Sequence, residues 1–163
     1  DALCEASKLG FLNYHFSTDT ITVYKTAAGS YHYRIIATGY TKFLELTDNI
    51  GDPYANVLSP CTLPPELHDR KPDGFRTTQY MFGNILLKLI TGYHPCEHLS
   101  LEDAYNHHSS FCKVNLNSHR KDIPLDYQTW LETLLETLPK NRFSSAKEMK
   151  IMLDKTALHF VCV

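Results

Sequence analysis

Two stretches of this 163-residue chain carry side chains at spacings that could do chemistry. In the first, NYHFSTDTITV (Asn13–Val23), His15, Ser17, Asp19 and Thr20 fall within six positions, just ahead of a β-branched run. An imidazole titrates near neutral pH and can act as a general base. Asp19 could serve as a base or a metal ligand, whereas Thr20 brings one neutral hydroxyl, a poor ligand for magnesium beside carboxylate or carbonyl oxygen. In the second, His94, Cys96 and His98 alternate in YHPCEHLS, and His107, His108 and Cys112 follow. Zinc takes tetrahedral nitrogen and sulfur ligands, and four of these six could converge on one ion. Their spacing is not that of a finger or knuckle, so an ordinary loop and helix is the competing reading. Asp48 and Asp52 match no coordination template, and a solvated, charged loop accounts for them.

These groups need elements to hold them. The opening residues read as the last turns of a helix ended by Gly10. TITVYK and SYHYRIIA are rich in β-branched and aromatic residues and read as strands, joined through TAAG with Gly29 at the turn. From Thr38 to Leu63 periodicity fades among Gly39, Gly51, Pro53, Ser59 and Pro60, which predicts a long irregular loop. LPPELHD predicts a short helix with prolines at its entrance. TTQYMFGNILLKLITG predicts a helix capped by Thr77 or Thr78 and stopped by Gly92. Its Met81, Phe82, Ile85, Leu86, Leu89 and Ile90 leave little polar face, so it is expected to be buried nearly all round. SLEDAYNHH opens on Ser100, with Asp103 three residues on. LDYQTWLETLLETL is expected to bury Trp130, Leu131, Leu134, Leu135 and Leu138. SAKEMKIMLDK carries the capping-box pair Ser145 and Glu148. The expected fold is mainly α with a small β-hairpin, a helical bundle around one central buried helix, in a single domain over residues 1–163. Residues 1–62 hold the hairpin and irregular segment, and 63–163 the helical part.

LPPELHDRKPDGFRTTQYMFGNILLKLITGYHPC resembles part of the C-terminal lobe of a eukaryotic-type protein kinase. Pro64, Pro65 and Glu66 stand for that family's Ala-Pro-Glu motif. Phe82-Gly83 and Thr91-Gly92 stand for the signature of its buried helix. LPKNRFSSAKEM is similar to the closing Asp-Pro-x-x-Arg motif, with Pro139 and Arg142 in place and Leu138 where an Asp is usual. The resemblance implies a kinase-like C-lobe with a buried Glu66–Arg142 ion pair. It also implies that Asn13–Val23 occupies the place of a catalytic loop, with Asn13 and Tyr14 for its His and Arg. His15 then replaces the catalytic Asp, Ser17 the Lys and Thr20 the metal-binding Asn, while Ala37, Thr38 and Gly39 replace the Asp-Phe-Gly motif. In that alignment Asp19 falls at a variable, often solvated position.

Phosphoryl transfer depends on positioning and on neutralising phosphate charge through magnesium held by that Asp and Asn. A methyl group at Ala37 cannot ligate a hard cation, and Thr20 is a weak substitute. A general base at His15 contributes ~10²–10⁴-fold and does not replace that charge stabilisation. The chain also contains no G-x-G-x-x-G and no V-A-I-K-like strand, so the N-lobe is expected to be absent from it. With no initiator methionine, the chain is expected to be a piece of a longer protein.

The expectation is therefore a pseudokinase C-lobe, not an enzyme, working as an interaction, scaffold or allosteric module in signalling regulation. No cofactor and no catalytic or metal-binding residue is assigned. The resemblance implies a protein partner, either an active protein kinase or a ubiquitin-system component, engaged near Tyr93, Leu99, Leu101, Tyr105 and Phe111. Two alternatives stay open: a divergent phosphotransferase using His15 or Asp19, and a zinc-stabilised binding module. The composition is that of an ordinary globular protein, 43% hydrophobic with a formal net charge of −2. Nothing in it points to nucleic acid. No apolar run approaches the ~20 residues that span a bilayer. Five scattered cysteines, Cys4, Cys61, Cys96, Cys112 and Cys162, favour reduced thiols in a cytoplasmic or nuclear setting.

Overall fold

The computed structural model describes residues 2–8, 20–35, 61–69, 71–110 and 115–156, and it is mainly helical with one two-stranded antiparallel hairpin. In chain order come α1 (Ala2–Lys8), β1 (Ile21–Lys25), β2 (Tyr31–Ile35), α2 (Pro65–His68), α3 (Gly74–Thr91), α4 (Leu101–Ser109), α5 (Leu125–Leu134) and α6 (Ala146–Lys155). Single 3-10 turns occupy Leu116–Ser118 and Pro139–Asn141. His15, Asp19, Ala37, Thr38, Gly39, Phe111 and Cys112 lie outside the described residues, as do Gly10 and positions 38–60 of the predicted loop.

The hairpin pairs Ile21 with Ile35 and Val23 with Tyr33. Its turn is closed by Thr26 N–H to the Ser30 carbonyl (2.8 Å) and Gly29 N–H to the Thr26 carbonyl (2.9 Å). Gly29 sits at φ 84, a conformation that disfavours any side chain. Pleating puts Ile21, Val23, Tyr33 and Ile35 on one face. Thr22, Tyr24, His32 and Arg34 share the other, where the Arg34 guanidinium lies 5.8 Å from the Tyr24 ring centre.

The central helix α3 begins at Gly74, three residues before the expected caps. Asp73 takes the N-cap position, and Thr77 and Thr78 are buried inside the first turns. Thr77 still braces the entrance, its Oγ1 accepting from the Asp73 N–H at 2.9 Å. Gly92 ends the helix in the left-handed conformation, φ 71, and its N–H reaches the Lys88 carbonyl at 2.8 Å.

Two apolar clusters flank α3. The smaller gathers Leu63, Leu67, Met81 and Ile85, with Ile21 and Ile35 of the hairpin packed on it. The larger gathers Leu87, Leu116, Trp130, Leu131, Leu134, Phe143 and Met149. Each fully buried leucine in it contributes ~1.5–3 kcal/mol. Gly83 makes the α3–α5 contact close: a Cβ there would lie 2.9 Å from Leu135 Cδ2 and 3.0 Å from Leu134 Cβ. The Trp130 indole N–H donates to the Met149 carbonyl at 3.0 Å and ties α5 to α6.

Burial is less complete than the apolar pattern predicts. Leu89 is 67% exposed, because Phe82, Ile85, Leu86 and Leu89 form a stripe that opens on a groove. Leu138 is also exposed, because α5 stops at Leu134 and the chain turns away before it. Among the described residues no helix is long and apolar enough to cross a membrane.

Candidate functional site

Arg142 anchors the interior. Its side chain and that of Glu66 are 0% and 6% exposed, and they meet in a two-pronged pair, Nη1–Oε1 at 2.5 Å and Nη2–Oε2 at 3.0 Å. The same guanidinium donates to the carbonyls of Arg76 (2.9 Å), Thr137 (3.2 Å) and Glu136 (2.7 Å, from Nε). All five N–H donors are thereby used, as a buried guanidinium requires. Its Cζ lies 4.4 Å from the Tyr80 ring centre, at cation–π distance. One residue on, Gln79 grips the backbone of Phe143: Nε2 donates to its carbonyl at 2.7 Å and Oε1 accepts its N–H at 3.1 Å. Helix α3 thus fastens the 142–143 segment with the Gln79 side chain, the Tyr80 ring and the Arg76 carbonyl.

A cavity of about 210 Å³, lined by several histidines, lies at the C-terminal half of α3. Tyr80, Asn84, Leu87 and Thr91, spaced four, three and four residues apart, present one helical stripe to it. His94, His107 and His108 line the facing side. His94 is fully committed. Its Nδ1 accepts the Cys96 N–H at 3.1 Å, and Nε2–H donates to Asn84 Oδ1 at 2.8 Å. The Asn84 amide is oriented in turn by Nδ2 donating to the Tyr80 carbonyl at 3.1 Å. Burial, aided by the neighbouring His108 and His107, pushes His94 down to about 4, so this ring is neutral at pH 7. Burial also drives the Tyr80 phenol above its ordinary value, keeping it protonated, and its hydroxyl meets His108 Nδ1 at 2.8 Å.

Of the six soft ligands in the sequence, the fold brings Cys96, His107 and His108 together, with one ligand atom from each within 4.8 Å of the others. His94 is occupied by its two hydrogen bonds, His98 is exposed to solvent, and Cys112 lies outside the described residues. Thr20, the one described residue among the positions read as degenerate, is buried one residue ahead of β1.

On the surface, Tyr93 (49%) and Leu99 (39%) are exposed around the turn that precedes α4. Leu101 instead packs against the smaller apolar cluster, and half-buried Tyr105 donates its hydroxyl to Asp69 Oδ1 at 3.2 Å. A larger apolar feature lies elsewhere. A groove of about 560 Å³ runs between α1, the apolar face of the hairpin, α3 and α6, and Val23, Tyr33 and Leu89 are exposed along it. The sequence reading omits this groove, along with Gln79 and the Tyr80–Asn84–Thr91 stripe. The stripe's four-three-four spacing was the available signal, hidden because polar residues on an apolar helix read as its wet side.

No protein-family model matches the chain, and no curated protein matches it either.

Proposed function

We propose that the chain is a catalytically degenerate, kinase-like C-terminal lobe that works as a protein-interaction module without phosphoryl transfer. The observation that carries this reading is the buried Glu66–Arg142 pair, beside a sequence in which the kinase-like alignment puts Ala37 and Thr20 in place of the magnesium ligands. A buried ion pair is costly to keep unless each charge is matched, and this one is matched at every donor of Arg142. Scaffold retained beside lost ligands is what an architectural role requires. The apolar groove and the exposed Tyr93 and Leu99 supply surface for a protein partner. An active protein kinase or a ubiquitin-system protein is the partner class that the kinase-like reading suggests.

Two measurements test this. Titrating the protein with ATP and magnesium should leave its melting temperature unchanged and transfer no phosphate; a magnesium-dependent shift with turnover would replace the proposal by a phosphotransferase using His15 or Asp19. Affinity capture from cells should then recover a partner with the wild type and lose it with Leu89→Glu on the groove or Tyr93→Ala on the turn. Identical recovery with both variants would remove these surfaces from the proposal.

A further inference from the structure

We propose that Cys96, His107 and His108 form a binding site for a borderline-soft divalent ion of the zinc type. The inference stands apart from the kinase-like reading and uses none of its motifs. Three observations converge on it. First, the chain presents one thiol and two imidazoles with ligand atoms within 4.8 Å of one another. Zinc–ligand bonds of about 2.0–2.3 Å place tetrahedral ligands roughly 3.3–3.8 Å apart, so side-chain rotations that draw these atoms together by about 1 Å complete the geometry.

Second, His107 Nδ1 is buried with no hydrogen-bond partner among the described residues. A buried imidazole nitrogen left so is costly, and coordination removes that cost. Third, His108 is already held as a metal-bound histidine is held. Its Nδ1 meets the Tyr80 hydroxyl at 2.8 Å, which fixes the ring. The perpendicular setting of the His107 and His108 rings, 88°, lets neighbours on one helix approach a common point from different sides.

His94 is excluded as a ligand, since both its nitrogens are bonded. Its role is to position: it accepts the backbone N–H of Cys96 and so fixes where the thiol sits. The adjoining cavity of about 210 Å³ leaves room at the fourth position for water or an exchangeable ligand. Three protein ligands with one open place is the arrangement of a zinc ion that retains Lewis acidity.

The test uses the whole chain and the metal alone. After equilibrium dialysis against Zn(II), elemental analysis should give one ion per chain. Co(II) should give the thiolate-to-metal charge-transfer band and the visible bands of a tetrahedral centre. Cys96→Ser should abolish the charge-transfer band. His107→Ala should weaken binding by more than the ~10–100-fold expected for Tyr80→Phe, which removes only the outer partner of His108. His98→Ala, outside the cluster, should bind as the wild type does. Should Cys96→Ser fail to fold, His107→Ala decides, because that residue is only half-buried at the end of its helix. A wild-type cobalt complex without a thiolate band overturns the proposal, and so does equal weakening by His98→Ala and His107→Ala.

Discussion

Arg142→Ala tests the interior most directly. The substitution strands the Glu66 carboxylate, only 6% exposed, and takes donors from the carbonyls of Arg76, Glu136 and Thr137. Breaking one side of a buried ion pair costs ~3–5 kcal/mol, mostly from the charge left behind. Domain stability is typically ~5–15 kcal/mol, so the variant moves close to its folding limit. For a domain of this size each kcal/mol is worth ~2–4 °C, and the melting temperature should fall by roughly 6–20 °C. Scanning calorimetry or circular dichroism reads this directly. The double variant Glu66→Met, Arg142→Met removes both charges together. It should be less destabilised than the sum of its single changes by ~2–3 kcal/mol, because neither then leaves an unmatched ion. Melting of Arg142→Ala within ~2 °C of wild type would refute the reasoning, as would single costs that simply add to within ~0.5 kcal/mol.

Three further outcomes are expected. Gly83→Ala should destabilise by ~1–3 kcal/mol despite the better helix propensity of alanine, because the new methyl meets Leu134 Cβ, which cannot move without α5; a denaturant midpoint at or above that of wild type would contradict this. Leu89→Lys should change stability by no more than ~0.5 kcal/mol, since the side chain is 67% exposed, and a drop of 2 kcal/mol would mean that the groove is closed in solution. Glu148 is held below its ordinary 4.5 chiefly by the Ser144 hydroxyl, so its contribution is present above that value and is lost as pH falls through the lower folded one. Any stability gap between wild type and Glu148→Gln should therefore close in acid, and a gap that stays constant in urea melts from neutral pH down to acid would remove Glu148 from the cap.

The sequence was most legible where local chemistry decides. Gly29 and Gly92 stand where the chain needs positive φ, and Ser100 and Ser145 cap their helices by accepting from Asp103 and Glu148 N–H groups. At α6 the reciprocal half of the box is shifted: the Glu148 carboxylate takes the N–H and hydroxyl of Ser144 rather than the N–H of Ser145. Spacing could not show that shift, because either serine lies within reach. Burial of α3 was legible only in part. Apolar periodicity identifies a helix that seeks cover but not what covers it, so Leu89 was expected inside and Gln79 was not. Gln79 is buried because Phe143, sixty-four positions away, offers a backbone N–H and carbonyl at matching height. Cys96, His107 and His108 were legible as ligand types, yet selecting these three from six needed the turn at 94–99 folded back on α4.

Tyr80 joins the two networks that the sequence presents as separate. Its ring face lies under the Arg142 guanidinium, and its hydroxyl, at the other end of the same side chain, meets His108. Helix α3 supplies both contacts from a single position, with Gln79 and Asn84 beside it holding the Phe143 backbone and His94. A shift of α3 that loosens the grip on Arg142 must therefore also displace the partner of His108. The ion pair touches α3 at the Arg76 carbonyl and the Tyr80 ring, and the same helix lines the histidine cavity. Loss of Arg142 is therefore expected to disturb the Cys96–His107–His108 cluster through Tyr80, because interiors packed at crystal-like density transmit displacement.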